Sequence, residues 1–191
     1  MRVNAIQLLI EEITDCLNKG NSLAALIAAL TIPDICGNVL YPQSKNGERY
    51  KKWFDEYIGN YEQSPLDKEK PKEDQFPYMN GSVIYKLRCS LLHEGTDDIG
   101  SKINIEDFNL IFYKSSISES KSIEQRTDFI DNGKGIIHPK KIKWNINVYN
   151  LCQKIVWAAK AFLENDVKNF STLPTIQIEN EIPEMFKINR K

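Results

Sequence analysis

The sequence predicts a mainly α-helical bundle carrying a small antiparallel β insertion. Two observations carry this reading. Apolar residues recur at helical spacing from residue 3 to about 93 and again from 148 to 165, whereas between about 103 and 147 the period falls to two. No repeat unit recurs along the chain, which excludes a solenoid. The expected organisation is one helical domain over residues 1–166, a β-rich insert at about 103–147, and an irregular tail over 167–191.

The elements follow in order. Val3, Ile6, Leu9, Ile10, Ile13, Cys16 and Leu17 mark a first helix, and Gly20 supplies its end. Ser22 is placed to cap a second helix whose body, Leu23 to Leu30, is apolar almost all round and therefore central to the core. Pro33 ends or kinks that helix and suits the first turn of another, reaching Val39. After a loop from Tyr41 to Gly47, Arg49 to Ile58 forms a helix whose Tyr50, Trp53, Phe54 and Tyr57 read as core packing rather than as a platform for bases. Residues 62–77 are charged, carry three prolines and predict a mobile loop. Ser82 to His93 is the next helix, closed by Gly95 in a left-handed conformation. Phe108 to Tyr113, Thr127 to Ile137 and Lys141 to Asn147 read as strands, and Val148 to Asn165 as the last helix.

Size and composition narrow the function classes. A chain of 191 residues, 41% hydrophobic and 27% charged, is long enough to bury a real core. Its formal net charge of -1 gives no global footprint for nucleic acid, so any such binding must come from a local site. Cys16, Cys36, Cys89 and Cys152 sit in separate helical segments without metal-ligand spacing, and are expected to be buried, unbridged thiols. Glu11 and Glu12 come too early for a signal peptide, and the longest apolar run, Leu23 to Ile32, is about half a membrane span. A cytoplasmic protein without a membrane partner is the expectation. No phosphate-binding loop, dinucleotide glycine fingerprint, nucleophile elbow or zinc-protease motif occurs, and no cofactor or metal is called for.

Two charges stand where charges should not. On an ideal helix at about 100° per residue, Ile84, Leu87, Leu91 and Leu92 form an apolar sector with Arg88 in its middle. A buried guanidinium without a partner costs several kcal/mol, so Arg88 implies a partner, a cavity or an interface. Asp34, if helical phase survives Pro33, shares a face with Leu26, Ile27 and Leu30. One Asp34–Arg88 bridge would satisfy both, with or without chemistry. His93, five residues beyond Arg88, falls about 140° away on a straight helix and reads alone as a helix cap. For the two to reach one substrate, the helix must unwind near Gly95 or a second subunit must bring another copy.

Two basic groups complete the candidates. Arg49, Lys51 and Lys52 read as a solvated face, with Arg49 and Lys52 as weak substrate-binding candidates. His138, Lys134, Lys140, Lys141 and Lys143 form a loop cluster in which Lys140 and Lys141 could meet a phosphate backbone.

The run Leu87-Arg88-Cys89-Ser90-Leu91-Leu92-His93, an Arg-x4-His on a late helix, resembles the motif of HEPN-domain proteins. Ile32-Pro33-Asp34-Ile35-Cys36-Gly37 and Tyr85-Lys86-Leu87-Arg88-Cys89 are also similar to phrases in a group of bacterial proteins. The likeness covers residues 1–95 and 148–165. It implies a helical bundle that dimerises around the motif. It also implies a metal-independent endoribonuclease, of a kind found in toxin and antiviral systems, with Arg88 and His93 catalytic; Asp34, by its charge and helical phase, is the supporting residue. A homodimer, RNA and a partner protein are the partners it implies; a non-catalytic RNA- or protein-binding module, with Arg88 structural, is the alternative. The family often has Asn, Asp or His directly after the arginine, where this chain has Cys89.

Overall fold

The computed structural model describes residues 2–71, 75, 77–97, 99, 107–112, 123–131, 137–167 and 173–178, with the backbone alone for 107, 123–131 and 137–142. The protein is mainly helical. Helix α1 spans Ala5–Asn18, α2 Ser22–Ala29, α3 Ile32–Leu40 and α4 Asn46–Phe54. A π turn, Asp55–Gly59, and one further helical turn, Asn60–Glu62, extend α4. Short α5 spans Pro65–Lys68, α6 Gly81–Cys89 with a π turn at Ser90–Glu94, and α7 Val148–Asn165. Strands are β1 Arg2–Asn4, β2 Asp107–Ile111, β3 Ile123–Asp131, β4 Ile137–Asn147 and β5 Thr175–Gln177.

Asparagines start three of these helices. The Asn4 side chain accepts the Ile6 and Gln7 N–H groups, Asn80 those of Ser82 and Val83, and Asn147 that of Asn150. Each satisfies donors that a helix start leaves unpaired. Ser22, expected as a cap, is instead the first helical residue after Asn21. Pro33 occupies the first turn of α3, where its missing N–H costs nothing.

Ser22–Leu40 is long and apolar enough to cross a membrane by length and composition. It is broken at Leu30–Thr31, and Ala25, Leu26, Ala29, Leu30, Ile32 and Cys36 lie buried in the core. The core joins Ile6, Ile10, Ile13 and Leu17 of α1, spaced one face apart, to Leu151, Ile155, Ala159 and Phe162 of α7. Helix α4 packs against both α3 and α6, and α7 against α1 and α2. Tyr50, Trp53 and Phe54 are fully buried, as their helical spacing predicts; Trp53 stacks on Tyr57 with ring centroids 4.9 Å apart. Trp157, on the outer side of α7, is 60% exposed.

The insert departs from an antiparallel arrangement. Its sheet has the order β2-β4-β3, with β3 antiparallel to β4 but β2 parallel to it. Alternation still fixes the faces: Phe108, Trp144 and Ile146 are buried in the bundle core, while Lys143 is exposed. His138, expected in a loop, lies in β4.

Three further expectations are corrected. Thr175–Gln177, within the tail read as irregular, pairs antiparallel with β1, opposing Val3 to Ile176; the Ala5 N–H also reaches the Pro174 carbonyl at 2.9 Å. The stretch read as a mobile loop contains α5, whose Asp67 is 8% exposed and bridges Lys70 at 2.7 Å. Gln63 and Gln75 hydrogen bond across it, and Glu62 pairs with Lys154 of α7. Pro65, at the first position of α5, starts structure there rather than breaking it. Cys16 and Cys89 are half-buried where burial was expected, although all four cysteines are free thiols as read.

Candidate functional site

The candidate site forms where α3 and α6 close on α4 from two sides, and two glycines set how close they come. A Cβ on Gly37 of α3 would lie 2.7 Å from the Arg49 carbonyl oxygen, and one on Gly81 of α6 would lie 2.3 Å from that of Lys51. Only residues without a side chain permit these backbone approaches. The start of α6 is also fixed to α4, because the Asp55 carboxylate accepts the Gly81 N–H at 2.6 Å. Burial raises the Asp55 pKa above its ordinary value, while the Gly81 hydrogen bond and Lys51 act to lower it.

This clamp brings together the two misplaced charges. Arg88 Nη2 stands 2.6 Å from Asp34 Oδ2, with the side chains 21% and 25% exposed. The guanidinium also lies over the Tyr50 ring, 5.8 Å from its centroid, and its Nε is buried without a hydrogen-bond partner. Asp34 occupies the first turn of α3, where a carboxylate is favoured by the helix dipole. Arg88 is thus anchored at one end, while its side chain as a whole keeps about one-fifth of its surface exposed.

Tyr50, Tyr85 and Lys51, none of them a site candidate from the sequence, surround the pair. Tyr50, buried, donates its hydroxyl to the Leu30 carbonyl at 3.2 Å. Burial first, then the Asp34 charge, hold its phenol well above the ordinary tyrosine range. Tyr85 meets Tyr50 edge to face at 5.3 Å, and Lys51 Nζ lies over the Tyr85 ring. Its pKa is raised by burial and then by the neighbouring Cys89 thiol, with which the phenol hydrogen bonds. Tyr85, Arg88 and Cys89 are one helical face at i, i+3 and i+4, a signal the sequence does contain.

His93 lies on the π turn after α6 and is exposed. Among the described residues, no hydrogen bond or ion pair joins it to Arg88. The turn closes with the Gly95 N–H on the Ser90 carbonyl, and Gly95 has φ 68°, the left-handed end expected of it. Each π turn takes up one more residue than an α turn, so five-residue spacing moves toward a shared face. Unwinding near Gly95 is one of the two conditions under which Arg88 and His93 could reach one substrate, and the π turn underwinds the helix there.

The weaker candidates disperse. Lys52 is exposed and lies over the Tyr41 ring at 4.0 Å, about 200° around α4 from Tyr50. Lys51, not Lys52, is the base that reaches the site. Arg49 is half-buried with an unpartnered Nε. Lys140 falls at the register shift of β4 beside Pro139, and Lys141 opposes Asp128 of β3; a proline lacks the N–H that regular pairing needs. Lys134 lies outside the described residues. Among the described residues, no group of three or more His, Cys, Asp or Glu could hold a metal ion.

Comparison of the chain with protein-family models, curated proteins and solved structures returns no match. The likeness to HEPN proteins therefore rests on the quoted residues alone.

Proposed function

We propose that the protein is a metal-independent endoribonuclease of HEPN type, acting as a cytoplasmic homodimer in a toxin or antiviral role. One observation carries the reading: an arginine anchored by Asp34 whose side chain is still about one-fifth exposed, one turn before an exposed histidine on the same helix. Arg88 would hold the scissile phosphate and stabilise the charge of the phosphorane with its planar fork. His93 would take the proton of a ribose 2′-OH as that oxygen bonds to phosphorus. The bond from phosphorus to the 5′-oxygen then breaks, and the leaving oxygen takes a proton from the His93 of the second copy. The products are a 2′,3′-cyclic phosphate and a 5′-hydroxyl. Two copies meeting near α6 would surround one cleft with both pairs.

The test is cleavage of a broad RNA pool in excess chelator, with chemical analysis of the ends. Cyclic phosphate ends, and losses of about 10²- to 10⁴-fold in His93→Ala and Arg88→Ala, are expected. Equal background from wild type and both variants would overturn the reading. A second reading, a non-catalytic RNA- or protein-binding module, is favoured by Cys89, which stands directly after Arg88 and is engaged with Tyr85.

A further inference from the structure

We infer that Ser90 and Glu94 are positioning residues: together they hold the last turn of the α6 helix in its five-residue form, which carries His93 round toward Arg88. The activity arm of the test rests on the proposed nuclease reading; the structural arm does not.

On a helix of constant α pitch, His93 would point about 140° away from Arg88. The observed turn is wider. With Gly95 as the left-handed residue, an ordinary helix end would return the Thr96 N–H to the Leu91 carbonyl. Here both the Gly95 and Thr96 N–H groups close on Ser90, the latter at 3.2 Å, so one extra residue is held inside the turn. In that form residues five apart become neighbours along the helix, as residues four apart are in an α-helix. Arg88 lies in the α segment just before the Ser90–Glu94 turn, so the wider turn brings His93 part of the way round toward it.

Backbone preference alone does not select this form, because π turns are rare and occur as single bulges, frequently at functional sites. The side chains supply the selection. Ser90 is fully buried, and its hydroxyl donates to Glu94 Oε2 at 3.1 Å across the turn. Its carbonyl meanwhile accepts the two N–H groups that close the helix. The backbone of Glu94 is at the exposed end, yet its carboxylate is drawn back to a buried partner. That link across the turn opposes relaxation to the α form, in which His93 turns away.

The test reads the turn directly. In deuterated, isotopically labelled protein, scalar coupling through a hydrogen bond identifies which carbonyl the Gly95 amide uses. Wild type and Glu94→Gln, which keeps an acceptor oxygen, are expected to couple Gly95 to Ser90. In Ser90→Ala and Glu94→Ala the coupling should move to Leu91 or Leu92. Retention of the Ser90 coupling in Glu94→Ala, whose site is exposed and whose folding is undemanding, would overturn the inference even if Ser90→Ala fails to fold.

If RNA is cleaved, Glu94→Ala should lower kcat by about 10²-fold with KM little changed, and Glu94→Gln should restore it. An unchanged kcat with a relaxed turn would also overturn the positioning role. Should the wild type cleave nothing, the nuclease reading falls and the coupling still decides this one.

Discussion

Breaking the Asp34–Arg88 pair separates its structural role from any chemistry. Exposed ion pairs contribute about 0–1 kcal/mol, whereas removing one partner of a buried pair costs about 3–5 kcal/mol. At 21% and 25% exposure, and with a 2.6 Å contact, this pair falls between those limits and closer to the buried one. Asp34→Asn should therefore cost about 2 kcal/mol, including a few tenths from the lost interaction with the α3 dipole. Arg88→Ala should cost about 3 kcal/mol, because it also removes the contact over Tyr50. The double variant should lose about 3.5 kcal/mol rather than the additive 5, leaving a coupling of about 1.5 kcal/mol. Urea denaturation of the four proteins at neutral pH measures it. Moderate salt should change the coupling little, since partly buried charges are weakly screened. A coupling below about 0.5 kcal/mol, the ordinary scatter of additivity, would refute the view that the two misplaced charges stabilise one another.

Other perturbations follow from the same geometry. Gly81→Ala places a Cβ 2.3 Å from the Lys51 carbonyl oxygen and should destabilise by about 1–3 kcal/mol, opposite in sign to the usual gain from removing a helical glycine; thermal melts give the sign. Asp55→Asn keeps the acceptor for the Gly81 N–H while removing a partly buried charge. Because burial raises the folded pKa of Asp55 from 3.8, wild-type stability falls as pH climbs through the window between that value and the raised one. Asp55→Asn should lose that pH dependence, whereas Asp55→Ala should lose about 0.5–2 kcal/mol of capping. Tyr57 and Tyr41 have raised pKa values, from burial first and then from hydrogen bonds to Asp166 and Glu56 respectively. Ultraviolet titration should show their ionisation delayed beyond the ordinary tyrosine range, with stability falling as pH rises past about 10.

The helices were legible because their apolar residues repeat with the helical period; α7 runs over the interval its pattern marks, Val148–Asn165. The Asp34–Arg88 contact was legible for a different reason. Two opposite charges on apolar faces each demanded compensation, and each was the simplest partner for the other. The π turn was not, since Leu91, Leu92 and His93 suit an α turn equally well, and the choice depends on where the Ser90 hydroxyl and carbonyl find partners. Alternation in Phe108, Trp144 and Ile146 showed which faces are buried but carried no information on strand direction, so the parallel pairing of β2 escaped. β5 was hidden because its three residues are all exposed and gain order only from β1, more than 170 positions earlier. Tyr85 was overlooked because its role depends on α4 bringing Tyr50 and Lys51 to it.

The three tryptophans give the molecule optical reporters in separate places. Trp53 is fully enclosed among the helices, Trp144 is fully enclosed where the sheet meets them, and Trp157 stands in solvent. A water-soluble quencher should therefore extinguish the long-wavelength share of the emission and leave the blue-shifted remainder. With Trp157 replaced by Phe, that remainder would come from two indoles, one in the bundle and one in the insert. Following each in a single-tryptophan background would show whether sheet and helices melt in one step or two.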